Sequence, residues 1–289
     1  MLSFTPFLHT YCTVLLFIFG TVFASFLGCM GWRMCKGESV LHGRSHCDSC
    51  GHALGARDLI PILSYLWNKG RCRYCGAAIP KMNLYGEILM AGAFVLAFWR
   101  YGMTYALLLM LFFICILYLV SVTDICEQMI PDSVLLVAVI VRVIFSVCDY
   151  LFDWKLTMYL HGIVRIEKPP LWQELLGLLV DGLAVSLPLL LLVLLMEKLW
   201  KKEAMGGGDI KLLFVTGLYL GWEQNLLAIF FACIIGIAVG LVQQKKAEKE
   251  AANEEEMSVY FPFAPSIAAG AVLTLVFGNA ILNWYLSLF

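Results

Sequence analysis

Apolar runs long enough to cross a bilayer recur along this chain, each ended by a polar, Gly or Pro segment, and nothing else in the sequence narrows the fold as far. Backbone N–H and C=O groups inside hydrocarbon find no water, so a run of about 20 apolar residues folds as a helix that pairs them internally. Eight runs are drawn at about 10–31, 83–99, 104–122, 133–150, 174–197, 210–221, 225–242 and 264–286. Composition agrees: 61% of the 289 residues are hydrophobic and 14% charged, and the mean hydropathy is +0.84, far from the balance of a water-soluble domain. The expectation is an all-α polytopic membrane protein of about eight transmembrane helices. No Lys or Arg precedes Arg33 and no small-residue cleavage site clearly follows the first run, so that run is expected to stay as a helix rather than leave as a signal peptide. The sixth run is short. From Asp209 to Trp222 it rises only about 20 Å, so either the bilayer is thin there or Asp209 lies below the membrane surface.

A formal net charge of −1 argues against a nucleic-acid partner, and the placement of the charges says more than their sum. The segment 32–81 carries Arg33, Lys36, Arg44, Arg57, Lys69, Arg71, Arg73 and Lys81. Segment 198–211 carries Lys198, Lys201, Lys202 and Lys211, and 243–259 carries Lys245, Lys246 and Lys249. Eight crossings put these three loops on one side, while the opposite loops hold little beyond Arg100, Lys155, Arg165 and Lys168. By the positive-inside rule the basic side is cytoplasmic and both termini face out. Trp99, Trp172, Trp200, Trp222 and Trp284 stand near run ends, as interfacial anchors do. The charged stretch 243–258 reads as a solvated connector, and no internal repeat is evident.

Within the first basic loop, Cys47-Asp-Ser-Cys50-Gly51 and Cys72-Arg-Tyr-Cys75-Gly76 repeat a C-x-x-C-G pattern with 21 residues between the copies. Two residues between cysteines let both thiolates reach one ion, and the following Gly can take the positive φ of a knuckle turn. Four thiolates make a closed tetrahedral site, which assigns structural zinc to Cys47, Cys50, Cys72 and Cys75 and leaves no position for substrate. Two disulfides compete with this reading, but the loop lies on the reducing side if the topology is right. Cys12, Cys29, Cys35, Cys115, Cys126, Cys148 and Cys233 read as packing residues.

Acids at membrane depth are costly and therefore candidates for function. Asp124 ends the third run, and Asp209 opens the sixth after Gly206-Gly207-Gly208, so loop parity puts both at cytoplasmic helix ends. Two carboxylates sharing one site keep one proton between them, and the ionised one can act as base on a water, the arrangement of aspartic proteases. Gly206 and Gly208 remove side chains where another backbone could approach. Taken singly, Asp124 is also compatible with an interfacial acid and Asp209 with a helix N-cap. Asp132 reads as a cap after Pro131, Asp181 as a buried polar contact, and Glu87 as either a first-turn interfacial acid or a substrate-binding group.

These motifs in order resemble the bacterial type IV prepilin peptidases. The resemblance rests on Ser25-Phe26-Leu27 with Arg33, the two knuckles, Asp58-Leu-Ile-Pro61-Ile-Leu-Ser64-Tyr65-Leu66 between them, and Gly70-Arg71-Cys72-Arg73. It continues with Asp124 six residues before Ile130-Pro131-Asp132, then Gly206-x-Gly208-Asp209-x-Lys211, and it runs from about residue 20 to 270. It implies a membrane aspartyl protease of the bacterial inner membrane that removes the basic leader of type IV prepilins or pseudopilins at the cytoplasmic face. It also implies methylation of the new amino terminus with S-adenosylmethionine. Carried over by motif, Asp124 and Asp209 are the catalytic pair, Gly206, Gly208 and Lys211 shape the site, and Pro262-Phe263-Ala-Pro265 is the Pro-rich opening of the last helix. Gly28 stands where the family usually has Asn, Asp48 where it often has Pro, and Met82-Asn83-Leu84-Tyr85-Gly86-Glu87 where it has Arg-Tyr-Pro-Leu-Val-Glu. Those departures bear on the methyltransferase half.

The expected organisation is a first helix over 1–31, a zinc-ribbon-like cytoplasmic subdomain over 32–82 and a transmembrane protease domain over 83–289. The rival readings are a protease without methyltransferase activity, a membrane methyltransferase or binding protein with structural aspartates, and a proton-relaying transporter.

Overall fold

A computed structural model describes residues 6–40, 43–152, 169–201, 205–250 and 262–288. Lys155, Arg165, Lys168, Lys202, Glu254 to Glu256 and most of the loop 151–172 lie outside the described residues. The described residues are helical throughout their ordered elements, with no β-strand and two isolated bridges, His46 with Ala53 and Arg71 with Ala78. The helices are α1 (Pro6–Cys35), α2 (Leu63–Trp67), α3 (Lys81–Tyr101), α4 (Tyr105–Glu127), α5 (Asp132–Phe152), α6 (Leu171–Trp200), α7 (Gly207–Leu220), α8 (Trp222–Glu250) and α9 (Ala264–Leu286). A 3-10 turn at Ala56–Leu59 precedes α2.

Seven of these, α1, α3 to α6, α8 and α9, are long and apolar enough to cross a membrane. The sixth expected run is α7, whose 14 residues rise about 21 Å and fall short of a hydrocarbon core of about 30 Å.

The chain divides into two compact units, Met1–Glu127 and Gln128–Phe289. In the first, α1, α3 and α4 pack on one another, with α4 innermost: Leu109, Met110, Phe113 and Val120 have no exposed surface. A Cβ at Gly20 would come within 2.6 Å of the Ala91 Cα, so the backbones of α1 and α3 touch where both residues are small.

In the second unit α7 is innermost, packed by α5, α6, α8 and α9. Nearly every residue from Ile210 to Leu220 is buried, so the helix is apolar all round because it is enclosed all round. It stops at Gly221, whose φ of 82° few other residues adopt, and α8 starts at the next residue. Asp181 of α6 accepts the Trp222 N–H at 3.4 Å at that turn, an exposed contact rather than the buried one expected of it.

Candidate active site and metal centre

The glycine run before Asp209 folds as the entry to α7. Gly206 caps the helix with extended backbone, Gly207 and Gly208 form its first turn, and the Asp209 N–H donates to the Gly206 carbonyl at 3.1 Å. Asp209 therefore stands in the first turn, beyond the cap position, where the helix dipole favours a carboxylate. Two residues at the entry to α5, Ile130 just before it and Asp132 at its start, hold this turn. Ile130 covers Gly208, where a Cβ would meet the Ile130 Cβ at 3.1 Å, and Lys211 pairs with both Asp132 oxygens at 2.7 and 3.0 Å. Asp132 is the first residue of α5, one past the cap position expected of it, and it forms an ion pair with Lys211 that the sequence does not show.

Asp124 belongs to the first unit. It stands in the last turn of α4 and is only 6% exposed, beside a fully buried Thr123 whose hydroxyl donates back to the Val120 carbonyl at 3.0 Å. The Cys35 thiol at the end of α1 lies 3.9 Å from the Thr123 carbonyl, tying the two helix ends together. Each aspartate is thus carried at one end of the most enclosed helix of its own unit.

The two knuckles have the same internal geometry. Cys47 donates its N–H to the His52 carbonyl at 3.0 Å and accepts the Gly51 N–H at 2.8 Å; Cys72 does the same with Ala77 at 2.7 Å and Gly76 at 2.9 Å. Gly51 and Gly76 have φ values of 68° and 73°, the conformation expected of them. The Sγ atoms of Cys47, Cys50, Cys72 and Cys75 all lie within 4.8 Å of one another, and Cys47 and Cys75 are 3.9 Å apart. A tetrahedral ion with metal–sulfur bonds of about 2.3 Å needs sulfurs about 3.8 Å apart, so these thiols could hold a metal ion. Hydrogen bonds from the Cys50 and Ser49 N–H groups lower the Cys47 thiol to about 7. At Cys75 the Ala77 N–H acts downward, but desolvation and the neighbouring Cys72, Cys50 and Cys47 push the thiol up to about 11. Four adjacent thiols do not all ionise by themselves; a cation among them supplies the missing charge.

Glu87 is the seventh residue of α3, half-buried, and one carboxylate oxygen accepts the Ile62 N–H at 2.6 Å while Ser25 of α1 also bonds it. The connector between the knuckles is therefore fastened to α3, through a carboxylate that α1 also holds.

Two buried charges inside the run 133–150 carry no role in the sequence motifs, Arg142 and Asp149, the second 7% exposed. Arg142, near the middle of α5, is 3% exposed and donates Nε–H to the Leu218 carbonyl at 2.8 Å. A single Arg inside the run 133–150 was the available signal. It satisfies a carbonyl in the last turn of α7, and the Tyr219 hydroxyl, donating to the Ala138 carbonyl at 2.8 Å, adds a second tie to α5.

Comparison with known proteins agrees in order along the chain. The Bacterial Peptidase A24 N-terminal domain matches residues 18–101, and the Type IV leader peptidase family matches residues 111–241. A "Prepilin leader peptidase/N-methyltransferase" of Bacillus subtilis is 31% identical over 277 residues, covering 95% of this chain and 98% of its own. Proteins of the same description from Burkholderia pseudomallei (32% over 247 residues, 82% of this chain and 68% of theirs) and Aeromonas salmonicida (30% over 246 residues, 84% and 75%) also match. No solved structure matches. Similarity over nearly the whole of both chains, with the two family regions in sequence, shows that this chain belongs to the type IV leader peptidase family and is an enzyme with peptidase activity.

Proposed function

We propose that this enzyme removes the basic leader of type IV prepilins or pseudopilins at the cytoplasmic face of the bacterial inner membrane, with Asp124 and Asp209 as its catalytic pair. The supporting observation is that Asp124, only 6% exposed, sits at the end of the most enclosed helix of its unit, where a carboxylate is costly without a purpose, and that Asp209 opens the most enclosed helix of the other unit. In this mechanism one carboxylate is ionised and takes a proton from a water, while the protonated partner donates to the scissile carbonyl oxygen. Water adds to the carbonyl carbon, the C–N bond then breaks, and the proton passes to the departing amine. Gly206 shapes the entry to α7 as its extended cap, Gly208 lets Ile130 close over the first turn, and Lys211 fixes that turn through Asp132. Glu87 is the candidate contact for the leader's basic residues, although Ile62 and Ser25 already hold its carboxylate.

Zinc is the ion proposed for Cys47, Cys50, Cys72 and Cys75, in a structural role, since a four-thiolate site keeps no open position. The spacing of the sulfurs suits it. Methylation of the new amino terminus with S-adenosylmethionine is suggested by the relatives' names. The described part of the first unit has no strand followed by a Gly-rich turn to cradle an adenosine group, so no residue is assigned to that step. The distribution of Lys and Arg supports the cytoplasmic orientation.

The test is cleavage of a prepilin-like peptide by the purified protein, comparing the parent with Asp124→Asn and Asp209→Asn, products being weighed with S-adenosylmethionine present. Each substitution is expected to lower the rate at least about 100-fold. Cleavage by both variants at the parent's rate would sink the aspartyl mechanism, and an added methyl on the parent's product would establish the second activity.

A further inference from the structure

The connector between the two knuckles faces outward with the wrong side for water. In α2, Leu63, Leu66 and Trp67 share one face by their spacing and are 46%, 58% and 65% exposed. Tyr65, on the other side, packs its ring against Gly70 inside the module. Leu59, in the preceding 3-10 turn, extends the apolar surface. A helix that turns its apolar side out and its polar side in is built to meet something apolar.

Where this surface sits follows from its anchor. Glu87 lies six residues into α3, about 9 Å along the helix from Lys81, and holds the Ile62 N–H directly. Ile62 has φ 60° and ψ −54°, a conformation that a β-branched residue adopts only when its surroundings impose it. A non-helical N–H beside a membrane-crossing helix needs a partner from the protein, and Glu87 supplies it. The connector is thus drawn down beside the entry of α3 into the membrane. Around it stand exposed cations, Arg57 before α2 and Lys69, Arg71 and Arg73 after it. Apolar side chains ringed by Lys and Arg fit the boundary between acyl chains and anionic headgroups.

We propose that residues 57–73 form a membrane-contacting loop: α2 lays Leu63, Leu66 and Trp67 into the surface of the bilayer, and the flanking cations pair with anionic lipid phosphates. The metal module is thereby held against the membrane at two points, through Glu87 and through lipid. This role does not depend on the peptidase chemistry.

The test is hydrogen exchange of residues 57–73, read peptide by peptide, in the full-length protein held in nanodiscs of phosphatidylcholine alone or with added phosphatidylglycerol. Exchange around α2 is expected to be about tenfold slower in the anionic discs and to lose that difference in high salt. Leu66→Asp should abolish the difference while leaving the thermal unfolding midpoint unchanged; Trp67→Ser serves if that variant fails to fold. Equal exchange in both discs, or a difference that survives both substitutions, overturns the proposal. Protection that appears only with added prepilin peptide would give the face to substrate, and protection only in discs holding two copies would give it to self-association; either also overturns it.

Discussion

At Gly208 any side chain would press on Ile130, with contacts of 3.1 to 3.4 Å to its Cβ, Cδ1 and Cγ1. Gly208→Ala is therefore expected to shift the first turn of α7, and Asp209 with it, for an overpacking cost of about 1–3 kcal/mol and a loss of cleavage. Ile130→Ala in the same chain should recover much of that loss, which cleavage rates of the single and double variants would show; no recovery would mean that another contact is responsible. The sequence could be read as far as the glycines and the acid, because a Gly-rich turn before an Asp has few bland explanations. It could not supply Ile130 or Asp132 as their neighbours, since nothing local relates α5 to α7. Arg142 and Asp149 were illegible for a different reason: a single charge inside a long apolar run carries no sign of the distant groups that face it. Glu87 was recognised as a residue with two possible uses, and its hold on a backbone N–H 25 residues earlier in the chain is a third.

Among the elements, the metal module was the most legible, because each knuckle is a local object: two cysteines, a following Gly and a few backbone hydrogen bonds. The pairing of the two knuckles into one cluster followed from the chemistry of four thiolates. The inverted α2 between them had no such signature, as five residues are too few for a periodic pattern to speak. The thiol properties lead to a pH prediction. Cys47, lowered to about 7, loses its thiolate as pH falls through that value. Cys75, raised to about 11, is a neutral thiol at pH 7 until a cation displaces its proton. Metal loading therefore releases protons, and affinity weakens on acidification. Metal content measured after equilibration from about pH 8 down to about pH 5 should fall as the pH is lowered. Content that stays flat across that range would argue against thiolate ligation. The short α7 was legible in length but not in surroundings: its burial on every side comes from four helices distant in sequence.

For the molecule as a whole, hydropathy gave the membrane class and the helix count to within the one short element, since a spanning helix carries its signal in its own residues. The Arg142 contact joins parts of the chain that are made at different times. Its carbonyl partner, Leu218, lies 76 residues further along the chain. At about 5–20 residues per second, synthesis completes α5 several seconds before that partner exists. During that interval α5 carries a guanidinium near its middle, which on insertion scales costs about 2.5–3.5 kcal/mol in a lone helix. An isolated α5 should therefore enter the bilayer poorly. In a series of chains truncated during synthesis, those ending at residue 152 are expected to leave α5 partly outside, and those ending at 221 or later to secure it. Equal insertion at both lengths would mean that α5 settles without α7. The membrane fold of this enzyme, on this account, is not finished helix by helix as the chain emerges; one helix waits for a later one.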